Sequence, residues 1–151
     1  MNDIFNKIFP KQLNNNYNGS LFSKYIFILL TVITVIRSLV HMFFLDGGAQ
    51  SIASIPLDTY SVPAMNVVVL IFSFWGSSQL LISFIYILAI FRYQNMIPIL
   101  YILMFLEYLM RFVFGHLKPI ILTDIAPGSI ANEVMIPLTI FLLYLSLRER
   151  K

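Results

Sequence analysis

The chain has 151 residues, of which 59% are hydrophobic and only 11% are charged, and its formal net charge is +3. Soluble domains average about 25% charged residues, so this composition excludes an ordinary soluble domain. The 14 Phe and 8 Tyr exclude intrinsic disorder, and the absence of Cys excludes a disulfide-stapled module and thiol chemistry. We therefore predict a single-domain integral membrane protein.

Residues 1–20 precede the first apolar stretch and form either a polar tail or a short interfacial segment. A helix here would carry apolar side chains on one face and two lysines within reach of anionic headgroups. The residues concerned are Ile4, Phe5, Ile8 and Phe9 on the apolar face, with Lys7 and Lys11 as the lysines. A frayed tail around the Asn14–Asn16 run is the alternative.

Residues 21–151 contain four stretches that are long and apolar enough to cross a bilayer, which takes roughly 20 residues each. The predicted spans lie at about 25–45, 65–91, 96–115 and 131–147. The short turn at Tyr93–Asn95 predicts that the second and third spans are antiparallel neighbours. The fold class expected is all-α, an up-and-down four-helix transmembrane bundle.

The basic residues outside the spans indicate the orientation of this bundle. With both termini in the cytoplasm, seven basic residues lie inside and one, Lys118, lies outside. The inner residues are Lys7, Lys11, Lys24, Arg92, Arg148, Arg150 and Lys151. The positive-inside rule therefore predicts cytoplasmic termini, and we expect a multi-pass protein of the bacterial inner membrane.

Ionisable residues inside the predicted spans are the main functional signal. Arg37 and His41 are four residues apart on one helix face, as are Glu107 and Arg111, while Gln79 lies near mid-depth. An ionised side chain at the bilayer centre costs at least about 2.5–3.5 kcal/mol, so these groups must face the bundle interior. We expect Glu107 to pair with Arg111 and, across the interface, with Arg37. Gln79 and Tyr108 would complete the hydrogen bonds of this network.

Three further residues complete the candidate ligand-binding site: Asp46, Trp75 and His116. Asp46 and His116 close the outer ends of the first and third spans. The segment Trp75–Gln79 forms either a tight packing seam or one wall of a cavity. Two arginines against one glutamate leave an excess positive charge, which invites an anion or an inward-folded Asp46. The possible metal ligands have no diagnostic spacing, and no metal or other cofactor is predicted.

Three functions from different classes fit these residues. The first is a binder or carrier of a small anionic or amphipathic ligand, and the second is a structural or accessory subunit whose polar network only holds the bundle or an oligomer together. The third is an intramembrane enzyme on a lipid-like substrate with Glu107 or His41 as acid–base group, and no catalytic signature favours it. Expected partners are the lipid bilayer and either a second copy or another membrane subunit, and no nucleic acid.

Several fragments together resemble one bacterial family. They are Arg37, His41 and Asp46–Ala49, then Trp75–Gln79, Arg92-Tyr93, Glu107-Tyr108 with Arg111, Lys118-Pro119 and Pro127-Gly128. As a set they are similar to an uncharacterised family of small four-helix membrane proteins, broadly DoxX-like in plan. The resemblance covers nearly all of the chain after Ser20. It implies a four-helix fold and a membrane location, and it implies no activity.

Overall fold

The computed structural model describes residues 2–149 and is entirely helical over that range, with no strand. The helices are α1 (Asn2–Ile8), α2 (Leu21–Phe43), α3 (Val62–Arg92), α4 (Ile97–Leu117) and α5 (Pro127–Leu147). Short 3₁₀ turns occur at Leu57–Thr59 and Gln94–Met96. Arg150 and Lys151, which count among the basic residues that predict the orientation, lie outside the described residues.

Four of these helices, α2 to α5, are long and apolar enough to cross a membrane. The length and composition of the chain are therefore those of a multi-pass membrane protein. Three helices begin about one turn before the predicted residue: α2 at Leu21, α3 at Val62 and α5 at Pro127. The early start of α5 is possible because proline at the first helical position loses no hydrogen bond that the helix needs there.

The helices pack mainly in two pairs, α2 with α3 and α4 with α5, and α2 also contacts α5. Helices α3 and α4 are joined by the turn at Gln94–Met96 but make few close backbone contacts. The two helices that the short turn joins are thus neighbours through side chains, since Gln79 of α3 donates to Glu107 of α4 at 2.9 Å, and not through close backbone packing. The face between α3 and α4 is instead bridged by side chains of the candidate site.

A buried aromatic core links all four long helices. The Phe27 ring on α2 packs edge-on against Tyr86 of α3 and Tyr101 of α4, with ring centroids 5.4 Å apart in both pairs. The Tyr101 hydroxyl donates to the Ser23 carbonyl at 2.6 Å, and the Ser23 hydroxyl donates to the Leu142 carbonyl on α5 at 3.0 Å. These hydrogen bonds give the polar groups partners inside the protein, which the hydrocarbon of a membrane could not provide.

Polar contacts fix both ends of the bundle. At the end that carries the N-terminal segment, Lys24 Nζ donates to Gln94 Oε1 at 2.7 Å, and the Ser20 amide donates to the Leu145 carbonyl at 3.0 Å. At the far end, the Thr123 amide donates to the Ser54 carbonyl at 2.9 Å. The two long loops, residues 44–61 and 118–126, thus meet at the far end.

Candidate functional site

A buried glutamine connects the charged residues of three helices. Gln79 of α3 is 2% exposed, and its Oε1 accepts a hydrogen bond from Arg37 Nε of α2 at 3.2 Å. Its Nε2 donates to Glu107 Oε1 of α4 at 2.9 Å. The same carboxylate oxygen forms the ion pair with Arg111, one turn further along α4. Gln79 is therefore hydrogen-bonded to a cationic and to an anionic side chain at the same time.

The predicted pair between Glu107 and Arg111 is confirmed, whereas the predicted direct pair between Glu107 and Arg37 is wrong. Arg37 makes no ion pair with another residue of 2–149, and Gln79 stands between it and the carboxylate. An amide can accept from one partner and donate to the other, so it gives each charged group one hydrogen bond while keeping the two groups apart. The cluster therefore holds two guanidinium groups and one carboxylate, an excess of one positive charge.

The Trp75 indole is the centre of an aromatic and cationic stack. The His41 ring lies nearly parallel to it with centroids 4.7 Å apart, and Phe72 contacts it edge-on at 5.6 Å. The Arg111 guanidinium lies 4.8 Å from the indole centroid, and that of Arg37 lies 5.9 Å away. Cations within about 6 Å of an indole face are attracted by its quadrupole. Trp75 therefore belongs to the polar cluster rather than to an interfacial belt.

His41 is buried, and its partner identifies the ring nitrogen that carries hydrogen. Nδ1 lies 2.8 Å from the Gly47 carbonyl, which can only accept, so Nδ1 is the donor. Gly47 and Gly48 have positive φ angles of 60° and 73°, which glycine adopts without strain. The turn after α2 is thus bent back onto the His41 ring.

Asp46 does not fold inward to neutralise the arginines. Its carboxylate accepts backbone hydrogen bonds from Gly48 at 2.9 Å, Gln50 at 3.1 Å and Ser51 at 2.7 Å. Partial burial alone would raise the pKa of Asp46, but these amide donors outweigh it and hold the pKa below its ordinary value. Asp46 therefore stabilises the loop that supports His41, and the positive charge of the cluster remains.

His116 lies outside the cluster, so its assignment to the site is wrong. Its ring is exposed, contacts Phe112 at a centroid distance of 4.3 Å and donates from Nδ1 to the Phe112 carbonyl at 2.8 Å. Within residues 2–149, no group of three or more His, Asp or Glu side chains is close enough to hold a metal ion. The residues Arg37, His41, Trp75, Gln79, Glu107 and Arg111 do come together.

Sequence reasoning missed Phe72 and assigned Tyr108 a different contact. Phe72 lies three residues before Trp75 on the same face of α3, a spacing that could have indicated it. Tyr108 was expected to complete the hydrogen bonds, but its ring instead lies 5.2 Å from the Arg111 guanidinium. Arg111 is thus held between two aromatic rings and one carboxylate.

The cluster is closed on one side and open on the other. Gln79 and His41 are 2% and 4% exposed, whereas the side chains of Arg111 and Glu107 are 16% and 26% exposed. A small group could therefore approach the arginines from the α4 side without displacing Gln79. The arrangement can bind an anion with a flat or apolar part.

The comparisons with known proteins add no family to this geometry. No protein-family model, no curated protein and no solved structure matches the chain.

Proposed function

We propose that the chain is a multi-pass protein of the bacterial inner membrane whose cluster of Arg37, Trp75, Gln79, Glu107 and Arg111 binds a small anionic or amphipathic ligand. The observation that carries this proposal is the unbalanced charge. Two guanidinium groups share one carboxylate beside an indole, and the open edge of the cluster lies at Arg111. Ionisable groups within membrane spans mark ligand or ion sites more often than not.

Arg37 is the group that would bind the anion. Its recorded hydrogen bond uses Nε and a neutral partner, Gln79, so its charge is not matched by a carboxylate. Guanidinium groups bind carboxylate and phosphate through two parallel hydrogen bonds. The Trp75 face beside it offers apolar contact for the remainder of the ligand. Glu107 would hold Arg111 in place and limit the site to one extra negative charge.

The same proposal includes an orientation and an assembly. The Lys and Arg residues outside the spans favour cytoplasmic termini, so the loops at residues 44–61 and 118–126 would face the periplasm. Four helices are few for a complete transport path, so a carrier would act as a homodimer or with another membrane subunit. The family resemblance to small four-helix, broadly DoxX-like proteins fits this plan and is part of the proposal.

A fluorescence titration tests ligand binding. Trp75 is the only tryptophan of the chain, so its emission reports on this site without a label. Full-length protein in zwitterionic nanodiscs is titrated with octanoate, and octanol is the uncharged control. We expect saturable change of emission with octanoate alone, lost in Arg37→Gln and kept in Arg92→Gln, whose side chain lies at the end of α3. A linear response to both compounds would show partition into lipid and contradict the proposal.

A structural function is the second candidate, and the position of Gln79 favours it. This buried side chain joins α2, α3 and α4, as a network that only assembles the bundle would. The double variant Glu107→Gln with Arg111→Leu separates the two candidates. Replacing a buried ion pair is often neutral or stabilising by about 1–4 kcal/mol where the pair has no structural duty. Unchanged or raised stability in nanodiscs supports ligand binding, and a large loss supports the structural function.

A further inference from the structure

A polar cavity lies at the end of the molecule that carries the N-terminal segment. It has a volume of about 560 Å³ and is enclosed by α1, residues 10–19, the start of α4 and the end of α5. Ligand sites in proteins commonly measure about 300–1,000 Å³. We call it the N-terminal cavity. It shares no residue with the cluster around Trp75.

Amides and lysines line this cavity. Lys7 forms an ion pair with Glu149 at 3.0 Å, and Lys11 is a second cation on the wall, where Glu149 is the one acidic residue among the described lining residues. The side chain of Asn16 also lines it. The lining is therefore basic and rich in groups that both donate and accept hydrogen bonds.

Reciprocal hydrogen bonds hold the wall of the cavity in shape. The Asn14 amide donates to Asn95 Oδ1 at 3.0 Å, and Asn95 Nδ2 donates to the Gln12 carbonyl at 2.8 Å. These bonds join the segment before α2 to the turn before α4, residues more than 80 positions apart in the chain. The cavity is thus part of the fold and not a gap beside a loose tail.

Tyr17 supports the wall of the cavity, and its hydroxyl is shielded from the space inside. The oxygen is buried and lies beside the Ser23 side chain. The polar groups available to a molecule in the cavity are therefore those of the exposed lining residues, among them Lys11 and Asn16.

The apolar residues next to the cavity indicate what kind of molecule this is. Ile4 and Phe5 of α1, and Phe9 after it, are 58%, 61% and 47% exposed. The cavity itself lies where α4 starts and α5 ends, at the depth of lipid headgroups if these helices span the bilayer. A basic, amide-rich cavity beside an exposed apolar row matches a molecule with a phosphate, hydroxyl groups and acyl chains.

We propose that the N-terminal cavity binds the glycerol phosphate headgroup of an anionic phospholipid. Lys11 contacts the phosphate, Asn16 contacts a glycerol oxygen, and the acyl chains lie along Phe5 and Phe9. This site would fix the N-terminal segment to the membrane surface. It is independent of the proposed ligand site around Trp75, because the cavity lining and that cluster share no residue.

Binding of short-chain lipids to full-length protein in detergent tests this proposal. The probes are dihexanoyl-phosphatidylglycerol, dihexanoyl-phosphatidylcholine and free glycerol phosphate. A lysine near anionic lipid is worth about 1 kcal/mol, so Lys11→Gln is expected to bind phosphatidylglycerol about fivefold more weakly. Asn16→Leu removes one amide without changing the charge and is expected to weaken binding as well. Arg148→Gln removes a charge at the same end outside the cavity lining, and serves as the matched control.

The outcomes separate a site from a diffuse attraction. Weaker binding in Lys11→Gln and Asn16→Leu, with Arg148→Gln close to wild type, supports the site. If the protein also binds free glycerol phosphate, the headgroup alone is sufficient for binding. If it does not, the acyl chains are needed as well. Equal losses in Lys11→Gln and Arg148→Gln, with Asn16→Leu unchanged, would overturn the proposal, and so would equal binding of the two lipids.

Discussion

The close approach of α2 and α3 at Gly76 gives the sharpest mutational prediction. A Cβ added at Gly76 would lie 2.8 Å from the His41 Cβ, 2.9 Å from the Ser38 carbonyl oxygen and 3.1 Å from the Met42 Cγ. The first two of these atoms belong to the backbone or are attached directly to it, so neither can rotate away. Gly76→Ala must therefore push the two helices apart.

The free-energy cost of separating α2 and α3 depends on the contacts that the separation disturbs. Overpacking by one or two methyl-sized groups costs about 1–3 kcal/mol in a well-packed core. The neighbours of Gly76 on α3 are Trp75 and, one turn on, Gln79, so the shift also alters the stack on His41 and the hydrogen bond from Arg37. We expect Gly76→Ala to lose about 1–3 kcal/mol of unfolding free energy and to weaken octanoate binding.

Gly115→Ala is the matched control on α4. A Cβ at Gly115 would have no neighbour within 4 Å, so alanine there fits freely and can stabilise the helix by about 0.5–1 kcal/mol. Both variants are unfolded by SDS in mixed micelles, and the free energies of unfolding are compared. Equal stability of Gly76→Ala and Gly115→Ala would refute the packing described for α2 and α3.

Two more predictions concern the cluster and the loop that supports it. Gln79→Leu leaves Arg37 and Glu107 without their common hydrogen-bond partner and should lower the free energy of unfolding by about 1–3 kcal/mol in the same assay. Interhelical hydrogen bonds in membranes average about 0.6 kcal/mol, and hydrogen bonds to charged groups are stronger. Ser83→Ala, one turn along α3, removes a hydroxyl that bonds only within its own helix and should leave the stability nearly unchanged. Equal losses of stability in Gln79→Leu and Ser83→Ala would contradict the role of Gln79 as a link between helices. Asp46→Ala should cost about 1–2 kcal/mol at neutral pH because three amides lose their acceptor. Folding lowers the pKa of Asp46, so the contribution of its carboxylate to the unfolding free energy is complete above about pH 4 and is lost as the pH falls through the folded pKa. The unfolding free energies of wild type and Asp46→Ala should therefore converge in acid. A difference that stays constant with pH would contradict this prediction.

The four spans could be predicted from the sequence because hydropathy over about 20 residues is a strong signal. The pair of Glu107 and Arg111 could be predicted too, since residues four apart share a helix face. The position of Gln79 between Arg37 and Glu107 could not be predicted, because it depends on how α2, α3 and α4 are rotated about their own axes. That rotation is set by packing along the whole length of the helices. The close approach at Gly76 is the part of this packing that the sequence does indicate, since Trp75–Gln79 is a candidate packing seam.

The error at His116 could have been avoided from the sequence alone. At about 100° per residue, His116 lies about 140° around the helix from Arg111 and about 180° from Glu107. The depth of His116 along α4 suits the site, but its direction around the helix axis does not. Asp46 is a different case, because the following Gly47-Gly48 pair already favours a turn stabilised by the aspartate side chain.

The central claim is that the cluster around Trp75 admits an anion, and collisional quenching of this single tryptophan tests it most directly. The full-length protein in zwitterionic nanodiscs is exposed separately to iodide and to caesium at equal ionic strength. Each quenching constant is divided by the constant for free tryptophan with the same ion, because iodide is intrinsically the more efficient quencher of indole. The excess positive charge of Arg37 and Arg111 predicts that the normalised constant of Trp75 is larger for iodide than for caesium, and that Arg37→Gln reduces this difference. Equal normalised constants for the two ions, or protection from both, would contradict an anion-binding cluster.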